Sequence, residues 1–262
     1  MLLTLNVNNT NVTLGVFDGD SLRATWRFGT DMRKQADEYG VLILSLLAHG
    51  GLSASDIDEA VMSSVVPDLE PIFEAMCGRY FSIEPLIVQA GVRTGLRILY
   101  DPPREVGADR VADAVAAIHA YGPPLIIVDL GTATVFDAIS REGDYIGGAI
   151  APGLGIGSEA LFQRAAKLYR VELSRPAAAI GRNTVTAMQS GIIFGHVGLV
   201  EGMVARFKEE LGDDAKVIGT GGYAKLIAQE TSVIDAVDPG LTLQGLRLIY
   251  ELNRAEAREQ ER

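Results

Sequence analysis

Three short runs of small polar residues have the composition of phosphate-holding turns: Asn8-Asn9-Thr10, Gly131-Thr132-Ala133 and Gly219-Thr220-Gly221-Gly222. Small side chains leave main-chain N–H groups unobstructed, so such turns can wrap the oxygens of a phosphate. Two of them facing each other would clamp a nucleotide. Each turn alone has a plainer reading, an ordinary hairpin turn in which Asn and Gly tolerate positive φ. Their recurrence argues for more. Leu2 to Phe17 and Leu125 to Ile139 each read as β-rich run, polar turn, β-rich run. Aligned on Asn6 and Asp129 they lie 123 residues apart (129 − 6), close to half of the 262-residue chain. A duplicated domain, each copy opening with strand-turn-strand, accounts for that spacing.

The elements that must carry these turns follow from periodicity. Asp18-Gly19-Asp20 closes the first β-rich segment with a strong hairpin signal. An amphipathic stretch over Ala36 to His49, an apolar strand from Ala60 to Val66 stopped by Pro67, and a helix over Leu69 to Tyr80 come next. Val111, Val115 and Ile118 fall at helical spacing, which predicts a helix starting near Asp109 and stopped by Tyr121-Gly-Pro-Pro124. Thr184 to Phe207 is helical in period, and its glycines 191, 195, 198 and 202 read as marks of close packing. Val217 to Ala224 is a strand running into a glycine turn, and Leu241 to Asn253 is a closing helix.

Composition narrows the function classes. With 48% hydrophobic residues the chain can bury a large core, and 23 basic against 34 acidic residues leave a net charge of −11. Such a surface repels a phosphate backbone, so nucleic acid and anionic membrane are poor partners. A lone Cys77 cannot form an intrachain disulfide, no Cys/His spacing suggests zinc, and apolar runs stop short of the ~18 residues of a membrane span. With no signal-peptide pattern, a reducing, cytoplasmic setting is expected.

Taken together, the turns resemble those of the acetate and sugar kinase, Hsp70 and actin superfamily. More narrowly, the chain is similar to type III pantothenate kinases through Ser63-Ser-Val-Val-Pro67, Gly107-Ala-Asp109-Arg110, Asp129-Leu-Gly-Thr-Ala-Thr134, Gly147-Gly-Ala-Ile-Ala-Pro-Gly153, Gly181-Arg182-Asn183-Thr184 and Leu241-Thr-Leu-Gln-Gly-Leu246. The resemblance implies an α/β chain of two duplicated actin-like (ribonuclease H-like) domains, residues 1–122 and 123–262, with a nucleotide cleft between them. It implies ATP-dependent phosphorylation of pantothenate, the entry step of coenzyme A synthesis, with Mg²⁺, a monovalent cation (K⁺ or NH₄⁺) and a homodimer.

Residue by residue, the resemblance places Asn6, Val7, Asn8, Asn9, Thr10, Asn11, Val12 and Thr13 on the first ATP-phosphate loop, and Thr132 on the second. Asp109 falls on the general base, Asp129 on the monovalent-cation ligand, and Tyr100, Gly107, Ala108, Asp109, Arg110 and Thr184 on substrate contacts. Plainer roles also fit these residue types: helix caps for Asp109 and Thr184, a turn cap for Asp129, a surface ion pair for Arg110, a half-buried loop aromatic for Tyr100. His49, His119 and His196 match no family position and read as structural.

The first loop departs from the family's Asp-x-Gly-Asn-Thr, reading Asn6-Val7-Asn8-Asn9-Thr10. Asn8 is tolerable for glycine because Asn enters the left-handed region readily. Asn6 keeps the shape of the family's aspartate without its charge, where Mg²⁺ is ordinarily anchored by carboxylates and substrate phosphates. That departure supports an alternative, a non-catalytic paralogue binding nucleotide or pantothenate in an accessory role. A kinase for another hydroxyl substrate is the third reading, opposed by Tyr100, Gly107 to Arg110 and Thr184.

Overall fold

The same five-strand plan is built twice. The structure is a computed structural model that describes residues 1–165 and 168–260. In the first copy β1 (Leu2–Val7), β2 (Asn11–Asp18) and β3 (Ser21–Gly29) form an antiparallel meander, followed by α1 (Ala36–His49), β4 (Glu59–Ser64), α2 (Glu70–Phe81), β5 (Leu86–Ile87) and α3 (Ala108–Tyr121). In the second, β6 (Leu125–Leu130), β7 (Ala133–Ile139) and β8 (Tyr145–Pro152) repeat the meander. They precede α4 (Leu154–Arg164), α5 (Thr184–Leu211), β9 (Lys216–Thr220), α6 (Ala224–Ala228), β10 (Ala236–Val237) and α7 (Leu241–Gln260). The sheet orders are β3-β2-β1-β4-β5 and β8-β7-β6-β9-β10, with β4 and β9 parallel to β1 and β6. Asn6 and Asp129 occupy the same fifth position of β1 and β6, so the 123-residue repeat is structural.

Contacts divide the chain into two compact units, one of Met1–Leu96, Asp101–Ala116 and the chain from Thr242, the other of Arg97–Tyr100 and Ala117–Leu241. The closing helix α7, which a division at 122/123 assigns to the second half, therefore groups with the first unit.

In the first unit β1 is buried along its whole length, as expected of a strand covered on both faces. Leu3, Leu5, Val12 and Leu14 pack with Tyr39 and Ile43 of α1 and Phe73 and Met76 of α2. Thr4, one of two polar residues on the strand, donates from Oγ1 to the Gly15 carbonyl at 3.2 Å. Cys77 belongs to this core, where burial pushes its thiol up to about 12, so it is an inert packing residue. β4 stops at Ser64, earlier than the apolar run suggests, because Ser64 Oγ accepts the Val66 N–H at 3.1 Å and starts the turn that Pro67 continues.

α3 and α7 approach closely: a Cβ on Gly245 would collide with the main chain of Ala112. Beside that contact, Thr242 donates to Asp113 at 2.6 Å. Gly245→Ala is therefore expected to destabilise the fold by about 1–3 kcal/mol, the usual cost of overpacking. A melting temperature equal to that of the parent protein would contradict this tight crossing.

In the second unit Ile126, Val128 and Phe136 of the sheet pack against Ile193, Val197, Val200 and Val204 of α5. That apolar face, together with the Asn183 cap, which accepts the Thr186 N–H at 2.9 Å, sustains a 28-residue helix despite its glycines. The close packing expected of those glycines is not found: Gly191, Gly195 and Gly198 have nothing within contact distance of an added Cβ among the described residues. They lie on the face of α5 turned away from the core.

Candidate active site

The first loop connects β1 to β2 and is held at three points. Asn8 N–H donates to the Asn11 carbonyl at 3.0 Å, Thr30 N–H to the Thr10 carbonyl at 3.0 Å, and Thr30 Oγ1 to the Asn8 carbonyl at 2.6 Å. Asn9 and Thr10 are exposed at its tip. Val7 and Val12 pair across the hairpin with buried side chains, so only their main chain can face a ligand. Asn6, 6% exposed, pairs with Thr13 in register and accepts from Ser63 Oγ at 3.1 Å. Asn11 opens β2 half-buried. Among the described residues Ser82 is the one non-glycine residue with positive φ. Asn8 thus does not use the left-handed region, and its tolerance has another basis: a loop path that makes no such demand. Its Oδ1 is buried and accepts no hydrogen bond.

Asp109 is the second residue of α3, inside the first turn and not at a cap. Its Oδ1 accepts the N–H of Arg110 at 2.8 Å, a hydrogen bond that folds the carboxylate back along the chain. The space it enters exists because residue 107 is glycine: a Cβ there would lie 2.6 Å from Asp109 Oδ1. Gly107, Ala108, Asp109 and Arg110 are all half-buried, so this corner is accessible.

In the second unit three glycine turns converge on the end of β6. The Gly131 N–H donates to the Ala133 carbonyl at 3.1 Å, closing the second loop with Thr132 exposed on it. A Cβ on Gly131 would lie 3.2 Å from Asp129 Oδ1. One on Gly221, whose φ is +88°, would collide with that same oxygen, and one on Gly153 would strike the Thr132 carbonyl. Tyr223 N–H donates to the Leu130 carbonyl at 3.0 Å and fixes the third turn. Asp129, half-buried, is thereby closely approached by the glycine main chain of two turns.

Thr184 is the first residue of α5, with Asn183, not Thr184, acting as the cap. It lines a pocket of about 780 Å³ together with Arg182, Asn183, Met188, Leu154 and His196. Tyr100 sits elsewhere on this unit, beside β8, with its ring edge-on to Tyr145.

Three contributors were not legible as site residues. Ser63 orients Asn6 from 57 residues away, and Thr30 clasps the first loop; only the short Ser63 motif hinted at the former. His196, read as structural, is 8% exposed and bonded through Nε2 to Thr134 Oγ1 at 2.8 Å, so it braces the strand that leaves the second loop. Burial holds its ring below the ordinary imidazole value of 6.5. Because the fold prefers the neutral ring, this contribution is complete above the unfolded value and is lost as pH falls below it. Between about pH 7.5 and 5.5 the melting temperature should fall less steeply in His196→Gln than in the parent. Equal slopes would remove His196 from the pH response.

A family model described as type III pantothenate kinase matches residues 2–206. In fold the chain is similar to a conserved protein of Campylobacter jejuni placed in the Baf family of transcriptional activators, at 17% identity and TM-score 0.62, covering 97% of this chain and 99% of that one. It is also similar to the activator of the 2-hydroxyisocaproyl-CoA dehydratase from Clostridium difficile, solved with bound ADPNP, at 13% identity and TM-score 0.56, covering 100% and 97%. A Sinorhizobium meliloti protein ascribed 2-dehydro-3-deoxygalactonokinase activity matches at 12% identity and TM-score 0.58, covering 96% of each chain. These likenesses carry the actin-like fold, two mixed sheets with flanking helices.

Proposed function

The chain belongs to the type III pantothenate kinase family, and from that premise we propose that it transfers the γ-phosphoryl group of ATP to the primary hydroxyl of pantothenate. The observation that carries the reading is the Gly107–Asp109 corner, where glycine makes room for a carboxylate fixed at the start of α3. Asp109 accepts the hydroxyl proton as that oxygen attacks the γ-phosphorus. The bond from phosphorus to the β,γ-bridging oxygen breaks, and ADP leaves. Such transfer depends on positioning and charge neutralisation, which a carboxylate and loop N–H groups can supply.

ATP is held in this reading by the first loop, Asn6 to Thr13, and by Thr132, while Tyr100, Gly107, Ala108, Arg110 and Thr184 contact pantothenate. The ADPNP on the C. difficile activator supports an ATP-binding role for this fold. Asp129, enclosed by Gly131 and Gly221, would hold the monovalent cation, whose charge offsets that of the phosphates. Mg²⁺ would reach the site mainly on phosphate oxygens, since Asn6 is uncharged and its oxygen already accepts from Ser63.

That neutral first loop favours the second reading, a nucleotide- or pantothenate-binding protein without turnover. ADP release coupled to a reporter, with pantothenate, Mg²⁺ and K⁺ present, separates the two. Saturable turnover supports the kinase; tight pantothenate binding without turnover supports the accessory protein.

A homodimer belongs to the same proposal. Ile156, Leu161, Phe162 and Ile180 are exposed at 47%, 41%, 40% and 84%, and the open glycines of α5 lie on the same unit as these residues. Sedimentation should give twice the chain mass of 28.0 kDa, and Ile180→Glu should shift it toward monomer. A monomeric parent protein would contradict the dimer. Among the described residues no helix is long and apolar enough to cross a membrane.

A further inference from the structure

We propose that Tyr145 and Asp137 are positioning residues that set the place of Tyr100, and so govern how tightly the acceptor is held. The proposal rests on the reading above in one respect, that Tyr100 contacts the acceptor.

Tyr145 opens β8 and grips the segment 97–100 through main chain and ring. Its N–H donates to the Arg97 carbonyl at 2.9 Å, and its carbonyl accepts the Leu99 N–H at 2.8 Å, giving a parallel bridge centred on Ile98. Arg97 adds an exposed ion pair to Asp144 at 2.6 Å. Apolar packing does little to hold the segment, since Leu99 is 52% exposed. At its end the Tyr100 ring meets the Tyr145 ring edge-on, with centroids 6.4 Å apart and planes at 64°. Gly147, with φ +142°, keeps the neighbouring wall free of a side chain: an added Cβ would lie 3.9 Å from Tyr100 Cδ2.

Tyr145 is itself locked. It is fully buried, and its Oη donates to Asp137 Oδ1 at 2.6 Å, where Asp137, on β7, is 1% exposed. A buried carboxylate is costly to keep, and an apolar residue would pack the same sheet face without that cost. A short hydroxyl-to-carboxylate bond is strong and directional, which fixes the tilt of the ring against which Tyr100 rests.

Tyr145→Phe keeps the ring and both main-chain bonds and removes only Oη. The KM for pantothenate should rise about tenfold while kcat and the KM for ATP stay within about twofold, and deuterium exchange at the Leu99 amide should quicken. Asp137→Asn, which retains an acceptor for Oη, should fall between the parent protein and Tyr145→Phe. An unchanged pantothenate KM with unchanged Leu99 exchange overturns the proposal, as does an equal loss in all three kinetic constants. If the parent protein itself does not turn pantothenate over, it is the proposed activity that fails. The exchange measurement then decides the positioning role alone: quicker exchange at Leu99 with β6 amides unaffected supports it, and unaltered protection overturns it.

Discussion

Asp109→Asn should lower kcat about 10²-fold or more while leaving the fold and ATP affinity close to those of the parent protein. The size follows from what the amide lacks. It fills the same volume and still accepts the Arg110 N–H through an oxygen, so the first turn of α3 keeps its geometry. It cannot take a proton from an attacking hydroxyl. The effect should appear in kcat and kcat/KM alike, since the lost interaction exists only in the transition state. Stopped-assay turnover beside nucleotide binding by calorimetry checks both halves. Near-parental turnover would remove Asp109 from the chemistry.

The second large effect is expected at Gly221. Alanine there meets two obstacles at once: a φ of +88° that side-chain-bearing residues avoid, and the carboxylate of Asp129 together with the Leu130 main chain. The conformational cost alone is about 1–2 kcal/mol. If Asp129 holds a monovalent cation, its displacement should also abolish the rise in activity on adding K⁺ to a Na⁺ background. Asp129→Ala should do the same with a smaller loss of stability, because it removes the carboxylate without straining the turn. Melting temperature and K⁺ titration of both variants give the comparison. A Gly221→Ala protein as stable as the parent, or an enzyme indifferent to K⁺ in every form, would contradict this description.

The repeat, its two strand-turn-strand openings and most helices were legible because they rest on local signals: apolar periodicity, the Asp18-Gly19-Asp20 turn, the Asn and Gly turns after β1 and β6. β8 and α4 were not. Residues 145–157 carry five glycines, which obscure strand alternation and weaken helix propensity, so only their family motif drew notice. The glycines of α5 misled in the opposite way, suggesting close packing that this chain does not show. What remained hidden at the site is non-local. Ser63 meets Asn6, His196 meets Thr134 and Gly245 meets Ala112 only once strands and helices are assembled. No spacing rule links such pairs. Asn6 shows the mixture: its neutrality was plain from the residue alone, while the hydroxyl that already occupies its oxygen was not.

That occupied oxygen makes Asn6→Asp informative. A carboxylate there adds a charge that can assist Mg²⁺ or, without a cation beside it, repel the phosphates of ATP. A gain in kcat on the order of tenfold, with a lower Mg²⁺ requirement, would place residue 6 beside the metal. Unchanged kinetics would mean that Ser63 turns it away.

Phosphorylation of pantothenate by this chain is read out by the mass of the product. Purified protein incubated with ATP, Mg²⁺, K⁺ and pantothenate should convert pantothenate to a species heavier by one phosphoryl group, with an equal amount of ADP formed and none of the product in the Asp109→Asn control. Pantothenate recovered unchanged, although bound, would contradict the account and leave an accessory binding protein in its place.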